Sequence, residues 1–483
     1  MRGVSGEIAV AASGPPGSGA VAAGSALTRD AAAHMLRLGG SAIDAVVAGA
    51  FAATVAEPTL ASLGGGGFCL TAAPGEVPRV TDFFVDMPGL GEPPAHPEPM
   101  TNLSVTFGSG TQQEFHVGWS SVAVPGTLAG LLDLHSRGGR LPLSEVLGPA
   151  IRCAREGILL DPVQVDFIRV IGPILRLTPA SAAIFAPPLE GKPFRNPAYA
   201  DMLARLAGGE TADAAFADPV ARDIAAHSGL VTREDLRSYA VAERIPGRAR
   251  RGDTWIWTNP PPAFGGAIVL ESLGLVPSTV EPWPAVAGAL RRATARHRSG
   301  AQVPRGTTHL SVLDGEGRLA ALSLSNGSGS GTVAAGVALN NMLGEADLHP
   351  GGFHSLPAGA RLSSMMAPTL VAGDDGSLLA LGTGGSERIR SALTQVLLRH
   401  VDLGEDLASA IAAPRLHASE ELIDIEPGFP ADFVAAMAKG HPPVREWPSA
   451  DLYFGGVHAV SRDPDGRVTA AADLRRGGAV AIV

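Results

Sequence analysis

Two adjacent threonines, Thr307 and Thr308, follow directly after Gly306 and have the clearest potential for chemistry in this sequence. An alcohol is a weak nucleophile unless a base stands beside it. A threonine at a newly formed N-terminus carries such a base in its own α-amine, whose pKa is about 8. Gly306 has no side chain to obstruct attack on its own carbonyl, as cleavage of the Gly306–Thr307 bond would require. Taken alone, however, the pair is more often β-branched filler in a strand.

The threonines lie at the start of a predicted β-hairpin. Residues 309–313 alternate apolar and polar side chains as a half-buried strand does. Residues 314–317 predict a turn, because glycine tolerates positive φ, and residues 319–325 predict the returning strand. The hairpin would hold Thr307 at its leading edge, and His309 is expected to pack or form hydrogen bonds within it rather than act as a base.

A second chemical feature is the pair Gly384 and Gly385, which lies between a predicted strand at 378–381 and a predicted helix at 388–400. Glycines at the N-terminus of a helix present free backbone N–H groups to an anion. Such donors can stabilise the oxyanion of a tetrahedral intermediate. By itself, a tight strand-to-helix turn without chemistry explains the pair about equally well.

Several short motifs together resemble one enzyme family. Thr-Thr-His at 307–309, Ser-Asn-Gly at 325–327 and Leu-Asn-Asn-Met at 339–342 are similar to the small subunit of γ-glutamyltransferases, which are N-terminal-nucleophile hydrolases. Other motifs, such as Gly-Gly-Ser-Ala-Ile-Asp-Ala at 39–45, extend the resemblance over most of the chain. It implies that the precursor cuts itself before Thr307 and that the exposed threonine attacks a γ-glutamyl amide.

The same resemblance implies the fold and the division of the chain. It predicts an α+β protein of the N-terminal-nucleophile hydrolase type, a four-layer αββα sandwich in which two stacked sheets are flanked by helices. Residues 1–306 and 307–483 would be the large-subunit-like and small-subunit-like segments, intertwined as one structural unit. The two self-cleaved fragments would stay associated, and a homodimer of such heterodimers is a further option.

By resemblance, catalysis is a two-step acyl transfer to water or to an acceptor amine. Thr307 would be the nucleophile, Ser325 the second hydroxyl beside it, and Gly384 and Gly385 the donors to the oxyanion. The substrate-binding positions of the family fall on Asn326, Glu345, Ser363 and Ser364. The two serines would contact the substrate carboxylate, and the glutamate would pair with the substrate ammonium group.

Two positions depart from the family pattern. Typical members carry an arginine that grips the substrate α-carboxylate, and the matching residue here is Val85, while Met342 replaces a residue that is commonly polar. Valine provides neither the fixed charge nor the bidentate hydrogen bonds of arginine. The sequence therefore predicts weak binding of free γ-glutamyl compounds, which Val85→Arg would improve if the pocket has room.

Three functions stay open at this point. The first is a γ-glutamyltransferase or glutathione hydrolase acting on γ-glutamyl amides such as glutathione. The second keeps the threonine nucleophile but changes the substrate, as in cephalosporin-type acylases or in relatives that hydrolyse a carbon–carbon bond in natural-product pathways. The third is a non-catalytic scaffold that is never processed. The intact residues 306–308 and 384–385 argue against it.

The rest of the chain predicts scaffold elements. A strand is expected at 8–12, a mostly helical stretch over 166–240, closing strands after 451, and helices at 20–38, 41–48, 128–135 and 142–157. The glycines at 64–67 indicate close backbone packing rather than a phosphate-binding loop, because no Gly-Lys-Ser/Thr follows them. The Pro-, Ala- and Arg-rich interval 277–305 is expected to be an exposed linker before the cleavage point, with four solvated arginines, Arg291, Arg292, Arg296 and Arg298.

Composition limits the remaining function classes. The 483 residues are 45% hydrophobic and carry a net charge of −10, which argues against nucleic acid as the main partner. No apolar run reaches the roughly eighteen residues of a membrane span, and Glu7 interrupts the first apolar stretch, so we expect a cytoplasmic protein without a signal peptide.

Cys69 and Cys153 are expected to be core thiols. No metal and no cofactor are predicted, and the expected partner is a small-molecule amide or peptide substrate.

Overall fold

The computed structural model describes residues 7–106, 112–185, 189–278, 283–297, 306–349, 351–440 and 442–483. Its strands are β1 Ala9–Gly14, β2 Ala20–Ala23, β3 Gly66–Ala72, β4 Arg79–Phe83, β5 Thr101–Thr106, β6 Gln112–Val117, β7 Ala242–Arg244, β8 Gly247–Arg251, β9 Thr254–Thr258, β10 Gly306–Leu313, β11 Leu319–Gly327, β12 Val333–Ala334, β13 Val337–Ala338, β14 Thr369–Gly373, β15 Leu378–Gly384, β16 Leu416–Ala418, β17 Ile423–Ile425, β18 Val444–Glu446, β19 Gly456–Arg462, β20 Val468–Asp473 and β21 Ala479–Ile482.

The α-helices are α1 Ala26–Arg37, α2 Ala42–Ala56, α3 Thr127–Gly138, α4 Leu143–Glu156, α5 Pro162–Val170, α6 Gly172–Leu175, α7 Pro179–Phe185, α8 Pro197–Ala207, α9 Asp218–Ala226, α10 Arg233–Ser238, α11 Gly265–Leu275, α12 Trp283–His297, α13 Arg388–Leu397, α14 Leu407–Ala412 and α15 Ala431–Ala438. Across the described ranges, no helix is both long and apolar enough to cross a membrane.

Two seven-stranded sheets form the centre of the described structure. One sheet has the order β1-β20-β19-β15-β14-β9-β8, and the other has the order β21-β2-β10-β11-β3-β4-β7. The sheets are stacked with β10 against β15 and β19, and helices cover the outer faces, with α2 on one sheet and α13 and α14 on the other. This arrangement confirms the predicted α+β class and the four-layer αββα sandwich.

The predicted hairpin is confirmed as β10 and β11, in which Thr307 pairs with Ser325. Its two strands are not half-buried, because nearly every residue in both is buried. The reason is that one face of the hairpin contacts the second sheet while α2 covers the other. A strand enclosed in this way needs no alternation of polar and apolar side chains.

The predicted helix over 20–38 is wrong at its beginning. Residues 20–23 form β2, which is fully buried and pairs with β10 and β21. The helix α1 begins only after Ser25, whose hydroxyl accepts a hydrogen bond from the backbone N–H of Thr28 at 3.1 Å. Small apolar residues fit either structure, so here the tertiary pairing decides. The N-cap predicted at Ser41 is confirmed, and Asp44 completes a capping box.

The interval 277–305 is not an exposed linker where the structure describes it. Residues 283–297 form α12, which buries Val286, Leu290 and Ala293 on one face and packs against α11. These residues are spaced by four and three, as on one face of a helix, and this signal is stronger than the interval's Pro- and Arg-rich composition. Arg298 and the rest of 298–305 lie outside the described residues, so the expectation for the junction itself stays a prediction.

The other scaffold predictions are confirmed in the described parts of the chain. They correspond to β1, α3, α4, the helical series from α5 to α10, the strand β15, and the closing strands β19, β20 and β21. The helix predicted over 388–400 is α-helical to Leu397 and continues as a π-helical turn. Cys69 is buried and Cys153 is partly buried, both as free thiols.

Candidate active site

Thr307 lies near the beginning of β10, between the two sheets, with 4% of its surface exposed. The opposite sheet approaches closely at this point. A Cβ atom added to Gly384, the last residue of β15, would lie 2.0 Å from the carbonyl oxygen of Thr307. No side chain fits such a gap, so the contact between the sheets at Thr307 requires a glycine.

The carbonyl group of Gly306 is held by the opposite strand of the hairpin. The hydroxyl of Ser325 donates a hydrogen bond of 2.7 Å to this carbonyl oxygen. A Cβ atom on Gly306 would lie 2.4 Å from the carbonyl oxygen of Thr59 and 2.9 Å from that of Gly327, so only glycine fits here. The bond between Gly306 and Thr307 is therefore presented with its carbonyl already polarised by a donor.

The two adjacent threonines have different surroundings, because successive side chains of a strand point to opposite faces. Thr308 donates its hydroxyl hydrogen to a carboxylate oxygen of Glu57, and Thr28 donates to the other oxygen at 2.7 Å. Burial raises the pKa of Glu57, which these hydroxyl contacts partly offset. The Thr308 hydroxyl is thus engaged on the helix side of the sheet, whereas Thr307 faces the neighbouring sheet and Gly384.

Glu57 is a residue of this site that the sequence analysis did not assign to it. It follows directly after α2, a fifteen-residue helix in which thirteen residues are buried. The available signal was the position of a carboxylate at the end of so apolar a helix, since a buried charge needs dedicated partners. Those partners could not be read from the sequence, because Thr308 lies 251 residues away in the chain.

Gly385 and Ser386 form a strained turn between β15 and α13. Gly385 has φ of +130°, which side-chain-bearing residues avoid, and Ser386 has φ of +54°. The helix begins at Arg388, whose backbone N–H donates to the carbonyl oxygen of Gly385 at 3.0 Å. The predicted glycine pair therefore lies between the backbone of Thr307 and the first turn of α13.

Two predicted substrate-binding residues, Asn326 and Glu345, lie near the end of the hairpin. A Cβ atom on Gly327 would lie 2.6 Å from a carboxylate oxygen of Glu345 and 2.3 Å from the side-chain oxygen of Asn341, so all three groups meet here. Asn326 is buried and its amide nitrogen donates to Leu339 O at 3.4 Å. Its amide oxygen has no hydrogen-bond partner within the ranges the structure describes.

The two predicted serines have different contacts. Ser363 donates its hydroxyl hydrogen to the carbonyl oxygen of Leu348 at 3.0 Å, which brings it to the segment that carries Glu345. Ser364 accepts a hydrogen bond from the N–H of Met366 at 3.1 Å, and its carbonyl oxygen accepts one from Phe264 at 2.9 Å. Ser363 thus joins the Glu345 neighbourhood, while the hydrogen bonds of Ser364 hold the turn before α11.

Val85 lies in an apolar environment, which does not favour the room that Val85→Arg would need. Its side chain is 0% exposed and belongs to one hydrophobic cluster with Met342 and Leu362. The backbone N–H of Leu362 donates to Val85 O at 3.0 Å, which fixes this segment beside the serines. Both departures from the family pattern, at 85 and 342, therefore lie in the same core.

The cation closest in sequence to the serines, Arg361, is already neutralised. Its guanidinium donates to Asp86 at 2.6 Å, to Asp82 at 2.8 Å and to the carbonyl oxygen of Ala240 at 2.7 Å. It also lies over the ring of Tyr239 at 4.9 Å. Because all three guanidinium nitrogens already donate hydrogen bonds, Arg361 does not take the place of the arginine that typical family members carry at position 85.

His309 has a structural environment, as expected. One ring nitrogen contacts the hydroxyl of Ser323 at 2.8 Å and the other contacts that of Ser311 at 2.9 Å. Burial lowers the pKa of His309 well below its ordinary value. Among the described residues, no group of three or more His, Cys, Asp or Glu side chains is arranged to hold a metal ion.

Comparison with known proteins places these features in context. The family model described as Gamma-glutamyltranspeptidase matches residues 28–299 and 277–483. The acylase ACY 1 proenzyme of Pseudomonas sp. (strain SE83) is 29% identical, over 94% of this chain and 91% of that protein. The glutathione hydrolase proenzyme of Escherichia coli (strain K12) is 27% identical, over 95% and 90%. The crystal structure of cephalosporin acylase from Bacillus halodurans superposes with a TM-score of 0.82 at 25% identity, over 99% of this chain and 97% of that chain.

Proposed function

This chain belongs to the gamma-glutamyltranspeptidase family of N-terminal-nucleophile hydrolases, and from that premise we propose that it is a self-cleaving threonine hydrolase or acyltransferase acting on γ-glutamyl amides such as glutathione. The observation that carries the proposal is the contact at the cleavage point. The carbonyl oxygen of Gly306 accepts a hydrogen bond from Ser325, directly beside Thr307. A proenzyme that cuts itself needs the carbonyl group of Gly306 activated and the hydroxyl of Thr307 adjacent to it.

Maturation proceeds by acyl transfer within the chain. The hydroxyl oxygen of Thr307 adds to the carbonyl carbon of Gly306, and the carbon–nitrogen bond breaks as an ester forms. Water then hydrolyses the ester, which leaves a carboxylate on Gly306 and a free α-amine on Thr307. The products are the fragments 1–306 and 307–483.

Turnover reuses the same threonine. Its α-amine accepts the hydroxyl proton as the oxygen of Thr307 attacks the substrate amide carbon, and the same amine returns the proton to the departing amine. Backbone N–H groups of the turn at Gly384 and Gly385 stabilise the oxyanion. The acyl group on Thr307 then passes to water or to an acceptor amine.

Recognition of the acyl group uses the polar residues around the hairpin end. We assign this role to Asn326, Glu345, Ser363 and Ser364, with Ser325 as the second hydroxyl beside the nucleophile. Support comes from the unpartnered amide oxygen of Asn326 among the described residues and from the meeting of Glu345 with Gly327. A dimer of the cleaved pair and a cytoplasmic location stay predictions.

A second candidate keeps the nucleophile but changes the substrate to that of an acylase. It is favoured by the apolar surroundings of Val85 and Met342, where the family binds the substrate carboxylate. Two of the similar proteins are named acylases, which is consistent with this alternative. A non-catalytic scaffold is disfavoured, because the chain retains Gly306, Thr307 and the glycine pair.

The test combines intact-mass analysis with a substrate panel. The purified protein should separate under denaturing conditions into two pieces, the lighter of which begins with Thr307. Thr307→Ala should abolish both splitting and turnover, whereas Thr308→Ser, which keeps a hydroxyl near Glu57, should retain both. Turnover of γ-glutamyl anilide over glutaryl amides and β-diketo acids would support the first candidate. A full-length chain that stays intact and inactive would contradict both.

A further inference from the structure

Arg476 lies between β20 and β21 and is a buried cation whose charge is incompletely paired. Only 5% of its surface is exposed. Its Nε donates to the carbonyl oxygen of Leu452 at 2.9 Å. Its Nη1 is buried and has no hydrogen-bond partner among the residues that the structure describes. A buried donor without a partner costs free energy, and more so when it carries charge.

The guanidinium of Arg476 lies directly beside the glycine turn of the candidate active site. A Cβ atom on Gly384 would lie 3.4 Å from Nη1, and the same Cβ would lie 2.0 Å from the carbonyl oxygen of Thr307. A Cβ atom on Gly385 would lie 3.6 Å from Nη2. The two glycines therefore bring the backbone of the nucleophile and the guanidinium of Arg476 to the same turn.

Two neighbouring buried arginines, Arg475 and Arg415, form ion pairs with carboxylates. Arg475 forms ion pairs with Glu426 at 2.7 Å and with Asp473 at 3.2 Å, and Arg415 also pairs with Asp473. No ion pair to Arg476 is found within the described residues. Its guanidinium lies 5.7 Å from the ring of Phe167 on α5 instead. Arg475 and Arg415 thus pair directly with carboxylates, whereas Arg476 makes no such direct pair among the described residues.

One further cation and two carboxylates act on Arg476. Burial and the nearby Arg388 lower the pKa of Arg476 to about 9, while Asp451 and Asp473 oppose the shift. The Nε of Arg388 donates to the carbonyl oxygen of Tyr453 at 3.1 Å, and its guanidinium lies over that ring at 4.4 Å, so it remains a second cation at this point. A Cβ atom on Gly385 would lie 3.6 Å from both Arg388 Cβ and Arg476 Nη2, so a substrate carboxylate at this turn would be attracted by two guanidinium groups.

We propose that Arg476 binds a carboxylate of the substrate beside the oxyanion turn and so supplies a fixed cation that Val85 cannot. This inference rests on the proposed function and identifies one feature of its substrate. A guanidinium suits this role because its planar fork offers parallel N–H donors to the two oxygens of a carboxylate. The carboxylate belongs either to the acyl group or to the leaving amine, and substrate pairs distinguish these sources.

The experiment compares Arg476→Gln with the unaltered enzyme on two matched substrate pairs. One pair is γ-glutamylglycine and γ-glutamylglycinamide, which differ only in the charge of the leaving amine. The other is glutaryl anilide and its terminal carboxamide, which differ only in the charge of the acyl group. In the pair whose charged member carries the recognised carboxylate, the ratio of kcat/KM for the charged member to that for the neutral member should fall by about tenfold to a hundredfold. This is the effect expected for one charge-assisted hydrogen bond. Arg476→Lys should retain part of the preference for the charged member.

Two controls separate recognition from packing. Arg462→Gln removes one positive charge at the far end of β19 from Gly456 and should leave both preferences unchanged. The melting temperature reports any loss of the contacts with Leu452 and Phe167. An equal loss of kcat/KM on charged and neutral members, or no loss at all, would show that Arg476 only packs.

Ligand binding by an inactive variant tests the role of Arg476 without catalysis. In the Thr307→Ala background, calorimetry should detect weaker binding of glycine or of glutarate after Arg476→Gln, according to which pair responded. Failure of the unaltered protein to cleave itself or to turn over any amide would contradict the proposed function alone. Glutarate and glycine binding that is unchanged by Arg476→Gln would overturn the assignment of Arg476 whatever the activity.

Discussion

The hydroxyl of Ser325 donates to the carbonyl oxygen of Gly306 in the uncut chain, so its role begins before any substrate is bound. Ser325→Ala removes this donor from the carbonyl that Thr307 would attack in the proposed self-cleavage. We expect self-cleavage to slow by about a hundredfold to a thousandfold, as for loss of one oxyanion donor. A time course of the two fragments on denaturing gels measures this rate.

The matched control for this variant is Ser323→Ala, two residues earlier on the same face of β11. Ser323 contacts His309 rather than Gly306, so its removal should change stability more than the cleavage rate. Ser325→Thr keeps a hydroxyl and should retain cleavage. Equal cleavage rates in Ser325→Ala and the unaltered chain would contradict the role of this hydrogen bond.

Val85→Arg tests whether an arginine at this position can provide the carboxylate contact that typical family members make. Because Val85 is fully buried in the apolar cluster with Met342, the new guanidinium would be desolvated without a partner. We expect a lower melting temperature and no gain in affinity for γ-glutamyl anilide. Val85→Ile, which keeps the apolar character, is the control. A lower KM in Val85→Arg would mean that the apolar cluster around Val85 opens to the substrate.

Some single residues of the candidate site could be predicted from the sequence, and others could not. Thr307 could be proposed because the motifs at 307–309, 325–327 and 339–342 together resemble one family, whereas the threonine pair alone is more often strand filler. The engagement of Thr308 with Glu57 and the position of Arg476 beside Gly384 depend on contacts between distant segments. Such contacts exist only after two sheets are stacked, so no local pattern predicts them.

The turn between β15 and α13 places two glycines under different constraints. Gly385 has φ of +130°, and the nearest heavy atom to an added Cβ would be Gly455 Cα at 3.2 Å. Gly385→Val should therefore shift the backbone donors and lower the rate by about a hundredfold or more, with a smaller effect on melting. An unchanged rate at unchanged melting temperature would contradict the oxyanion assignment.

Gly384→Ala serves as the comparison for that turn. Its Cβ would lie 2.0 Å from the carbonyl oxygen of Thr307, which belongs to the backbone and cannot rotate away. This variant should lose stability and self-cleavage together, because the two sheets must separate to accommodate the methyl group. The pair of variants thus distinguishes a contact between elements from a catalytic donor.

The stacked strands β10 and β19 each bury a histidine, and this predicts a dependence of stability on pH. Burial lowers the pKa of His309 well below its usual value and that of His458 to about 4. In the unfolded chain both would bind protons near pH 6.5, so the unfolded state gains protons first as the pH falls. The free energy of unfolding should fall below pH 6.5 by up to about 1.4 kcal/mol per pH unit for each histidine.

Urea denaturation of the uncleaved Thr307→Ala protein at pH 7.5 and 5.5 measures this effect. His458→Gln in the same background should reduce the difference between the two pH values, since one titrating group is removed. His400→Gln, a histidine that is only partly buried, is the matched control. A pH dependence that is identical in all three proteins would contradict the contribution of His458.

Elements differ in how well the sequence predicts them. The hairpin of β10 and β11 could be predicted because its turn glycines and alternating residues are adjacent in the chain. The strand β2 could not, since its four small residues become a strand by pairing with β10 and β21. In α12 the spacing of Val286, Leu290 and Ala293 carried the correct signal, but the prolines and arginines around it dominated the prediction.

The whole molecule interleaves strands from both sides of the bond between Gly306 and Thr307. In one sheet β10 lies between β2 and β11, and β11 lies between β10 and β3; in the other, β14 follows β9. Neither seven-stranded sheet is complete with residues 1–306 or with 307–483 alone. The stacking and strand order came from the family resemblance, because no local pattern specifies which strands become neighbours.

Cleavage at this bond would change the order of the folding reaction. Before it, the sandwich assembles within one chain, and the yield of refolding should not depend on protein concentration. Afterwards two separate chains must find each other, so refolding becomes bimolecular. Diluting both forms from urea over a range of concentrations should give a constant yield for Thr307→Ala and a rising or negligible yield for the mature protein. Maturation would then remove the covalent link that made folding efficient, and the finished enzyme would persist because it unfolds slowly rather than because it refolds.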